Sequence, residues 1–385
     1  MAAMGLIEPE AQARFAFYLH SPSGDIGHAV HLLRLLAEIG RSRGSRSLIF
    51  LRAPRIYPYG LFKDYGPVIA LPAAPSAASG RRLAAELRGF RPSALVTEFF
   101  PLGRTECLSE VSPLLDAAAA CGARKFASVP MPYFTAPERG LEKLLESCAR
   151  YDKILVHSPA GADLPCMAKA VRLERRISPS AFLSVFKELR RKIEFTGYVL
   201  PAKTAPGKRG KQNFALVTRG GGSTSDAFFE AAIRAASLSA LPFKLVAGPA
   251  TSPSRLAYFR RLAAAGGAKA EIIGSSDRLQ DLMAGAAVCV STAGGSVYEM
   301  LALRKKMVLA PFCGARMREH SDQLARAWLM RDLAGAELLL PADLTPEKIA
   351  AAVSARLAKP LKISKRVKPA WFRGAEKSAF IIRGL

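Results

Sequence analysis

The sequence has few of the residues that build disulfide frameworks or metal centres. Its six cysteines are scattered without a C-x-x-C pair, and its five histidines show no zinc-ligand spacing. We therefore expect the cysteines to be reduced, small core residues of a cytosolic protein, and we expect no dedicated zinc site.

Long apolar runs are also missing. The longest uncharged run, residues 282–298, is broken by glycines and falls short of the ~20 apolar residues that a membrane span needs. Residues 1–15 include acidic side chains and no long apolar stretch, so they do not have the pattern of a signal peptide. These absences argue against a transmembrane protein or an exported one and predict a cytoplasmic location.

The chain has few acidic residues relative to its basic ones. The chain has 31 Asp and Glu against 56 Lys and Arg, which gives a formal net charge of +25. Such a surface favours polyanions, namely an anionic membrane leaflet, nucleic acid or diphosphate substrates. A basic nucleic-acid-binding protein is one alternative. The sequence lacks a recognised nucleic-acid module and its basic residues are dispersed, so no specific nucleic-acid partner is expected.

The order of apolar runs and turns predicts two similar α/β halves. With 385 residues, half of them hydrophobic, the chain is long enough for two or three domains. Strand, loop and helix patterns repeat from residue 14 onward and restart after a segment rich in Pro, Gly and Lys, which predicts a doubly wound sheet in each half. The predicted parts are an N-terminal Rossmann-like domain (1–200), a linker (201–212), a C-terminal domain (213–360) and an apolar closing segment (361–385).

The most informative stretch is residues 288–327. A short apolar strand meets the small residues 291–296, and a helical pattern with Glu299 in its first turn follows. Glycines let backbone N–H groups approach a ligand, and a helix N-terminus favours an anion such as a diphosphate. The Glu299 carboxylate could accept hydrogen bonds from ribose hydroxyls, and Asp322 with Gln323 could bind several hydroxyls of a sugar.

This arrangement resembles the donor half of GT-B glycosyltransferases. The resemblance is strongest to glycosyltransferase family 28, the group of the peptidoglycan N-acetylglucosaminyltransferase and its uncharacterised relatives. The matching pattern is a small-residue turn, Ser/Thr-Val-x-Glu, a Lys-x-x-x-hydrophobic-Pro strand and Asp-Gln before an Ala-rich helix. The resemblance implies an α/β fold of two Rossmann-like, doubly wound domains that face a central cleft. It also implies that the last helix crosses back to the N-terminal domain.

The implied activity is an inverting, metal-independent transfer of a hexose or N-acetylhexosamine from a UDP-sugar to a hydroxyl acceptor. The UDP-sugar would be a co-substrate, with no other cofactor. The absence of an Asp-x-Asp motif is consistent with stabilisation of the departing UDP by a helix dipole and side chains. A sugar-nucleotide hydrolase or epimerase of the same fold is the alternative.

The resemblance implies that the sugar donor binds the C-terminal domain. Arg219 could neutralise the departing diphosphate, and Ser223 and Thr224 of the Gly-rich loop could either cap the next helix or bind phosphate oxygens. Glu299 could instead be an ordinary acid that complements the helix dipole. The predicted donor-binding residues are Arg219, Gly221, Gly222, Ser223, Thr224, Ala293, Gly294, Gly295, Ser296, Glu299, Asp322 and Gln323.

The acceptor would bind a loop after the first strand, which holds Gly24, Asp25, Gly27 and His28. GxxGH resembles the Gly-x-Gly-His turn of these transferases, and an unperturbed histidine pKa of about 6.5 suits a general base. We therefore predict His28 as the base, with Asp25 as a rival base or an orienting group. The two glycines and His28 could also simply shape and cap the turn. Glu98, at a strand end, is either an acceptor contact or auxiliary base, or a helix cap or ion-pair partner of Arg104.

Two basic and aromatic stretches lie in the N-terminal half. They are either a peripheral patch on the inner face of a membrane, which would suit a lipid-linked acceptor, or a solvated helix face over core aromatics. The residues concerned are Arg52, Arg55, Lys63, Tyr57, Tyr59, Phe62 and Tyr65 in the first stretch and Phe182, Phe186, Lys187, Arg190, Arg191 and Lys192 in the second.

Overall fold

The structure is a computed structural model. It describes residues 13–21, 26–41, 44–52, 59–174, 176–201, 213–220, 225–267, 269–311 and 321–385. The predicted linker 201–212 lies outside the described residues except for Pro201.

The first half forms a parallel sheet with helices on its faces. Its strands are β1 (Arg14–His20), β2 (Arg46–Arg52), β3 (Val68–Ala70), β4 (Ala94–Glu98), β5 (Arg124–Val129), β6 (Lys153–Val156) and β7 (Ile193–Phe195). Its helices are α1 (Gly27–Ile39), α2 (Tyr59–Lys63), α3 (Ala77–Phe90), α4 (Leu108–Ala120), α5 (Leu141–Ala149), α6 (Leu164–Glu174) and α7 (Pro179–Glu188). The strand order is β3-β2-β1-β4-β5-β6-β7.

The second half repeats this plan. Its strands are β8 (Ala215–Thr218), β9 (Phe243–Val246), β10 (Ala270–Ile273), β11 (Val288–Ser291), β12 (Lys306–Leu309) and β13 (Glu337–Leu338), in the order β10-β9-β8-β11-β12-β13. Its helices are α8 (Asp226–Ala235), α9 (Pro253–Ala265), α10 (Leu279–Gly285), α11 (Ser296–Ala302), α12 (Ser321–Ala334), α13 (Pro346–Ala358) and α14 (Gly374–Arg383).

The central strands are apolar because both faces of each sheet are covered. Phe17 of β1 is fully buried and lies opposite Ile49 of β2 and Val96 of β4 in the parallel register. Continuous apolar runs are typical of parallel strands that helices cover on both sides. Two doubly wound sheets therefore form, as the sequence predicts.

The strand order reverses once in each sheet, and these two points locate the candidate site. In the first sheet the reversal lies between β1 and β4, and in the second it lies between β8 and β11. Doubly wound sheets bind ligands in the crevice outside the carboxyl ends of the strands at such a point. The loops that follow β1, β4, β8 and β11 are therefore expected to carry the ligand-binding and catalytic residues.

The closing segment packs on the first half. Helix α14 contacts α1, and the Arg383 guanidinium donates to the carbonyls of Glu38 and Ile39 at 2.6 and 2.7 Å. Gly374, the first residue of α14, lies close to the segment after β7, and a Cβ on Gly374 would meet the Gly197 carbonyl oxygen at 2.2 Å. A side chain at this position would force the two segments apart.

The structure decides between the two interpretations for some residues of the basic and aromatic stretches. Phe62, Phe182 and Phe186 are buried, and both α7 phenylalanines pack against Phe134. Arg52 is also buried and donates to Glu110 Oε2 at 2.6 Å. These side chains form the core and a buried ion pair, so of the two alternatives the core interpretation applies to them. Arg55 and Tyr57 lie outside the described residues, as does the side chain of Tyr59.

Among the described residues, no helix has the length and apolar character needed to cross a membrane.

Candidate functional site

His28 and Glu98 meet at the reversal point of the first sheet. His28 is the second residue of α1, directly after β1, and Glu98 is the last residue of β4. His28 Nδ1 lies 3.0 Å from Glu98 Oε1, with the Glu98 side chain 1% exposed and the His28 side chain 14% exposed. Gly27 begins α1, whereas Gly24 and Asp25 lie outside the described residues.

The surroundings of Glu98 keep it ionised. Burial alone raises its pKa, but His31 and His28 beside it overcome this effect, and the net pKa lies well below the usual range. An ionised carboxylate only accepts hydrogen bonds, so Nδ1 of His28 must be the donor. In that tautomer the lone pair is on Nε2, which is the arrangement of a histidine general base held by a carboxylate.

Three donors from the described residues converge on this carboxylate. Besides His28, Ser128 Oγ donates to Oε2 at 2.5 Å and His31 Nδ1 lies 3.3 Å from the same oxygen. His31 Nε2 is buried without a hydrogen-bond partner among the residues that the structure describes. The carboxylate is therefore held by residues from α1 and β5 as well as by its own strand.

A second histidine extends the network inward. His157 Nε2 lies 3.1 Å from Ser128 Oγ, and its Nδ1 lies 2.7 Å from Thr196 Oγ1. Burial lowers the pKa of His157 well below its usual value, and the nearby His31 adds to the effect. A neutral His157 can donate to Ser128, whose own proton goes to Glu98. Sequence reasoning missed His31, Ser128 and His157 as part of the site. The feature that could have identified two of them is their position at the carboxyl ends of strands, because Ser128 lies near the end of β5 and His157 directly follows β6.

Phe99 fixes the plane of the His28 ring. The two rings are stacked, with centroids 5.0 Å apart and an interplanar angle of 23°. Phe99 has φ of 65°, a left-handed conformation that is costly outside glycine and often occurs at functional sites. A Cβ on Gly103 would come within 2.3 Å of the Phe99 ring, so only glycine fits behind it. The imidazole is thereby packed as well as hydrogen-bonded.

The small-residue turn lies at the reversal point of the second sheet, between β11 and α11. Ala293 is buried with φ of 59°, and a Cβ built on Gly294 or Gly295 would meet no atom of the described residues within 4 Å. In the described part of the chain the glycines therefore border open space, and Ser296 begins α11. This is room into which a ligand could approach the backbone closely.

Glu299 of α11 bonds to both halves of the molecule. Its Oε1 accepts from Arg34 of α1 at 2.6 Å, and its Oε2 accepts from Gln280 of α10 at 3.2 Å. The side chain is 7% exposed. The predicted ribose-binding carboxylate thus lies beside the turn, already held by two donors.

Asp322 and Gln323 begin α12, which reaches back to the turn through Arg326. The Arg326 guanidinium donates to Asp322 and, through Nε, to the Ala293 carbonyl at 2.8 Å. Its third nitrogen contacts the sulfur of Met131 in the first half at 2.9 Å. Arg326 was missed by sequence reasoning, yet it joins two predicted donor segments.

The Arg219 carbonyl accepts from Thr292 Oγ1 of this turn at 3.5 Å, whereas its guanidinium is directed to other partners. It is buried, donates to the Ala247 carbonyl at 2.6 Å and to Thr251 Oγ1 at 2.7 Å, and pairs with Asp226. These partners hold the guanidinium against α8, so it supports the fold of the second half. Gly221, Gly222, Ser223 and Thr224 lie outside the described residues.

Asp163 joins the two halves beside α11. It accepts from the Tyr198 hydroxyl at 2.8 Å and lies 3.4 Å from the hydroxyl of Tyr298, the residue before Glu299. The two tyrosine rings are stacked with centroids 3.8 Å apart. Burial raises the pKa of Asp163 to about 6. This cluster packs α11 against the first half.

One group of three side chains in the described residues has metal-ligand proximity, namely His20, Glu106 and Cys107. Arg52 lies 3.2 Å from His20 Nδ1, and burial together with that positive charge lowers the pKa of His20 to about 4. A cation beside a neighbouring guanidinium is disfavoured, so this group does not fit a metal.

Residues 216–379 match the model of the glycosyltransferase family 28 C-terminal domain. The chain is a GT-B glycosyltransferase similar to family 28. This match spans β8 to α14 and includes the turn, Glu299, Asp322 and Gln323. No curated protein sequence matches the chain.

Solved structures share this GT-B fold over almost the whole length. MurG of Acinetobacter baumannii is 12% identical with a TM-score of 0.58, and the match covers 97% of this chain and 100% of that one. UGT71G1 of Medicago truncatula, complexed with UDP-glucose, is 12% identical with a TM-score of 0.57, over 97% and 99%. LpCGTa, in complex with UDP, is 14% identical with a TM-score of 0.59, over 97% and 94%. At these identities the likeness concerns the fold, and the GT-B expectation is confirmed.

Proposed function

We propose that this glycosyltransferase moves a hexose or N-acetylhexosamine from a UDP-sugar to a hydroxyl acceptor, with inversion and without a metal ion. The observation that carries the proposal is the His28 and Glu98 pair at the reversal point of the first sheet. A buried, ionised carboxylate holds the imidazole so that Nε2 keeps its lone pair.

In this proposal the donor binds the second half, residues 213–360, and the acceptor binds the first half, residues 1–200. The open turn at Gly294 and Gly295 would receive the diphosphate, Glu299 the ribose, and Asp322 with Gln323 the sugar. The structures of similar fold that contain UDP and UDP-glucose support a uridine donor.

The reaction needs one proton transfer and one displacement. Nε2 of His28 takes the proton of the acceptor hydroxyl as its oxygen attacks the anomeric carbon. The bond from that carbon to the diphosphate breaks on the opposite face, and its electron pair leaves with UDP. Glu98 stabilises the imidazolium that forms.

A thermal-shift screen across nucleotide sugars tests the donor assignment. A ligand that binds only the folded state stabilises it by about 2.7 kcal/mol at a hundred times its Kd, so UDP-sugars should raise the melting temperature. Mass spectrometry of the products then separates the reactions: UDP with a glycosylated acceptor supports transfer, whereas free sugar or an epimer supports the hydrolase or epimerase. No shift with nucleotide sugars, together with tight binding of RNA or DNA at physiological salt, would rule the proposal out.

We further propose that the enzyme is cytoplasmic and binds an anionic membrane that holds a lipid-linked acceptor. Leu173 of α6 and Leu183 of α7 are exposed, on two helices that contact each other, with Lys187 and Arg190 exposed nearby in the chain. Each basic side chain near an anionic leaflet contributes about 1 kcal/mol. The protein should float with phosphatidylglycerol vesicles at low salt and not with phosphatidylcholine vesicles. Equal recovery with both lipids would exclude the electrostatic contribution.

A further inference from the structure

Arg34 bridges the two halves at the candidate donor site. It lies on α1, and its two terminal nitrogens donate to Glu299 Oε1 at 2.6 Å and to the Val199 carbonyl at 3.2 Å. The side chain of Arg34 is 20% exposed and that of Glu299 is 7% exposed. This is therefore a largely desolvated contact between residues 265 positions apart in the chain.

A carboxylate with so little exposure depends on its partners. Removal of one member of a buried ion pair leaves the other charged and uncompensated, which is strongly unfavourable. Arg34 occupies one oxygen of Glu299 and Gln280 occupies the other. Two oxygens offer about four acceptor positions, so about two remain for the hydroxyls of a ribose. The guanidinium can thus orient the carboxylate and leave it room to bind a diol.

Helix α1 joins this contact to the candidate base. His28, His31 and Arg34 follow one another at intervals of three residues, so they lie on neighbouring positions along the helix surface. At 1.5 Å per residue, His28 and Arg34 are about 9 Å apart along the helix axis. The same rigid element therefore carries the imidazole held by Glu98 and the guanidinium that holds Glu299.

We propose that Arg34 is a positioning residue of the donor site, supplied by the first helix of the other half. It orients Glu299 for the ribose hydroxyls of the nucleotide and fixes where the nucleotide lies relative to His28. This inference rests on the proposed function, because it takes Glu299 to be the ribose ligand.

Calorimetric titration of UDP into single and double variants tests this inference. Arg34→Gln should weaken UDP binding about tenfold, because the carboxylate loses its charged donor. Arg34→Lys should recover part of the loss, since an ammonium can contact Oε1 but cannot also reach Val199 with the geometry of a guanidinium. In a Glu299→Gln background, Arg34→Gln should have little further effect, since Arg34 acts on the ribose hydroxyls through the Glu299 carboxylate. In turnover assays the donor KM should rise and the acceptor KM should stay unchanged.

A matched control is available just after the end of the same helix. Arg41 is 57% exposed and pairs with Glu38 of α1, so Arg41→Gln should leave UDP binding unchanged. Unchanged or tighter UDP binding in Arg34→Gln, or the same loss with and without Glu299, would overturn the inference. If wild-type protein and Glu299→Gln bind UDP equally, the proposed function fails first. If Glu299→Gln alone weakens binding, only the role of Arg34 fails.

Discussion

Replacement of His28 by alanine should lower turnover at least about a hundredfold and leave UDP affinity nearly intact. A lost general base costs about two to four orders of magnitude, because the acceptor hydroxyl must then lose its proton to water. UDP affinity should persist because His28 lies at the first sheet, whereas the predicted nucleotide contacts follow β11 in the second. Steady-state turnover and UDP calorimetry on the same preparation measure both quantities.

Two outcomes would contradict the role of His28. Unchanged turnover would remove it from the mechanism. Retained turnover in His28→Ala with a large loss in Asp25→Asn would make Asp25 the base. If His28→Ala lowers UDP affinity as strongly as it lowers turnover, the substitution disturbs the whole cleft.

Replacement of Glu98 by glutamine should lower turnover about a hundredfold or more with little change in size. Three donors, from His28, His31 and Ser128, point at this group, and an amide offers only one acceptor oxygen to them. If the amide nitrogen donates to Nδ1 of His28, the ring takes the other tautomer and Nε2 no longer has a lone pair. An analogous carboxylate-to-amide change in a serine protease triad costs about ten thousandfold.

The contribution of Glu98 to the stability of the folded protein should also depend on pH. The folded-state pKa of Glu98 lies below its unfolded value of about 4.3, so the ionised group contributes stability above that pH and loses it as the pH falls. The difference in melting temperature between wild type and Glu98→Gln should therefore stay constant from pH 7 to about pH 5 and shrink progressively below about pH 4.3. Glu86→Gln, on the exposed face of α3, is the control and should show no such trend. Wild-type turnover in Glu98→Gln would show that the carboxylate does not orient the base.

The central strands of both sheets could be predicted from sequence, and the short edge strands β3, β7 and β13 could not. β1, β4, β8 and β11 are buried on both faces, so their side chains form continuous apolar runs. β3, β7 and β13 have three, three and two residues and are partly exposed, which leaves no pattern to detect. The stretch around α7 illustrates a different limit, because alternating basic and aromatic residues are typical both of a membrane helix and of a helix over a core.

The candidate site was predictable as separate residues but not as contacts. His28 and Glu98 each follow a strand, and their meeting depends on β1 lying next to β4, which the local sequence does not specify. Arg34 and Glu299 belong to different sheets, so their ion pair depends on how the two halves pack. His31 and His157 have no motif of their own, and only the sheet order brings them to Glu98.

The effect of UDP on the melting temperature of the wild type and of Glu299→Ala tests the nucleotide site most directly. We expect a clear rise for wild type that falls by about half or more in Glu299→Ala, because the variant loses the carboxylate beside the open turn. His28→Ala should show the full rise. An equal rise in wild type and Glu299→Ala, or no rise in either, would contradict the assignment of this turn and its glutamate as the nucleotide site.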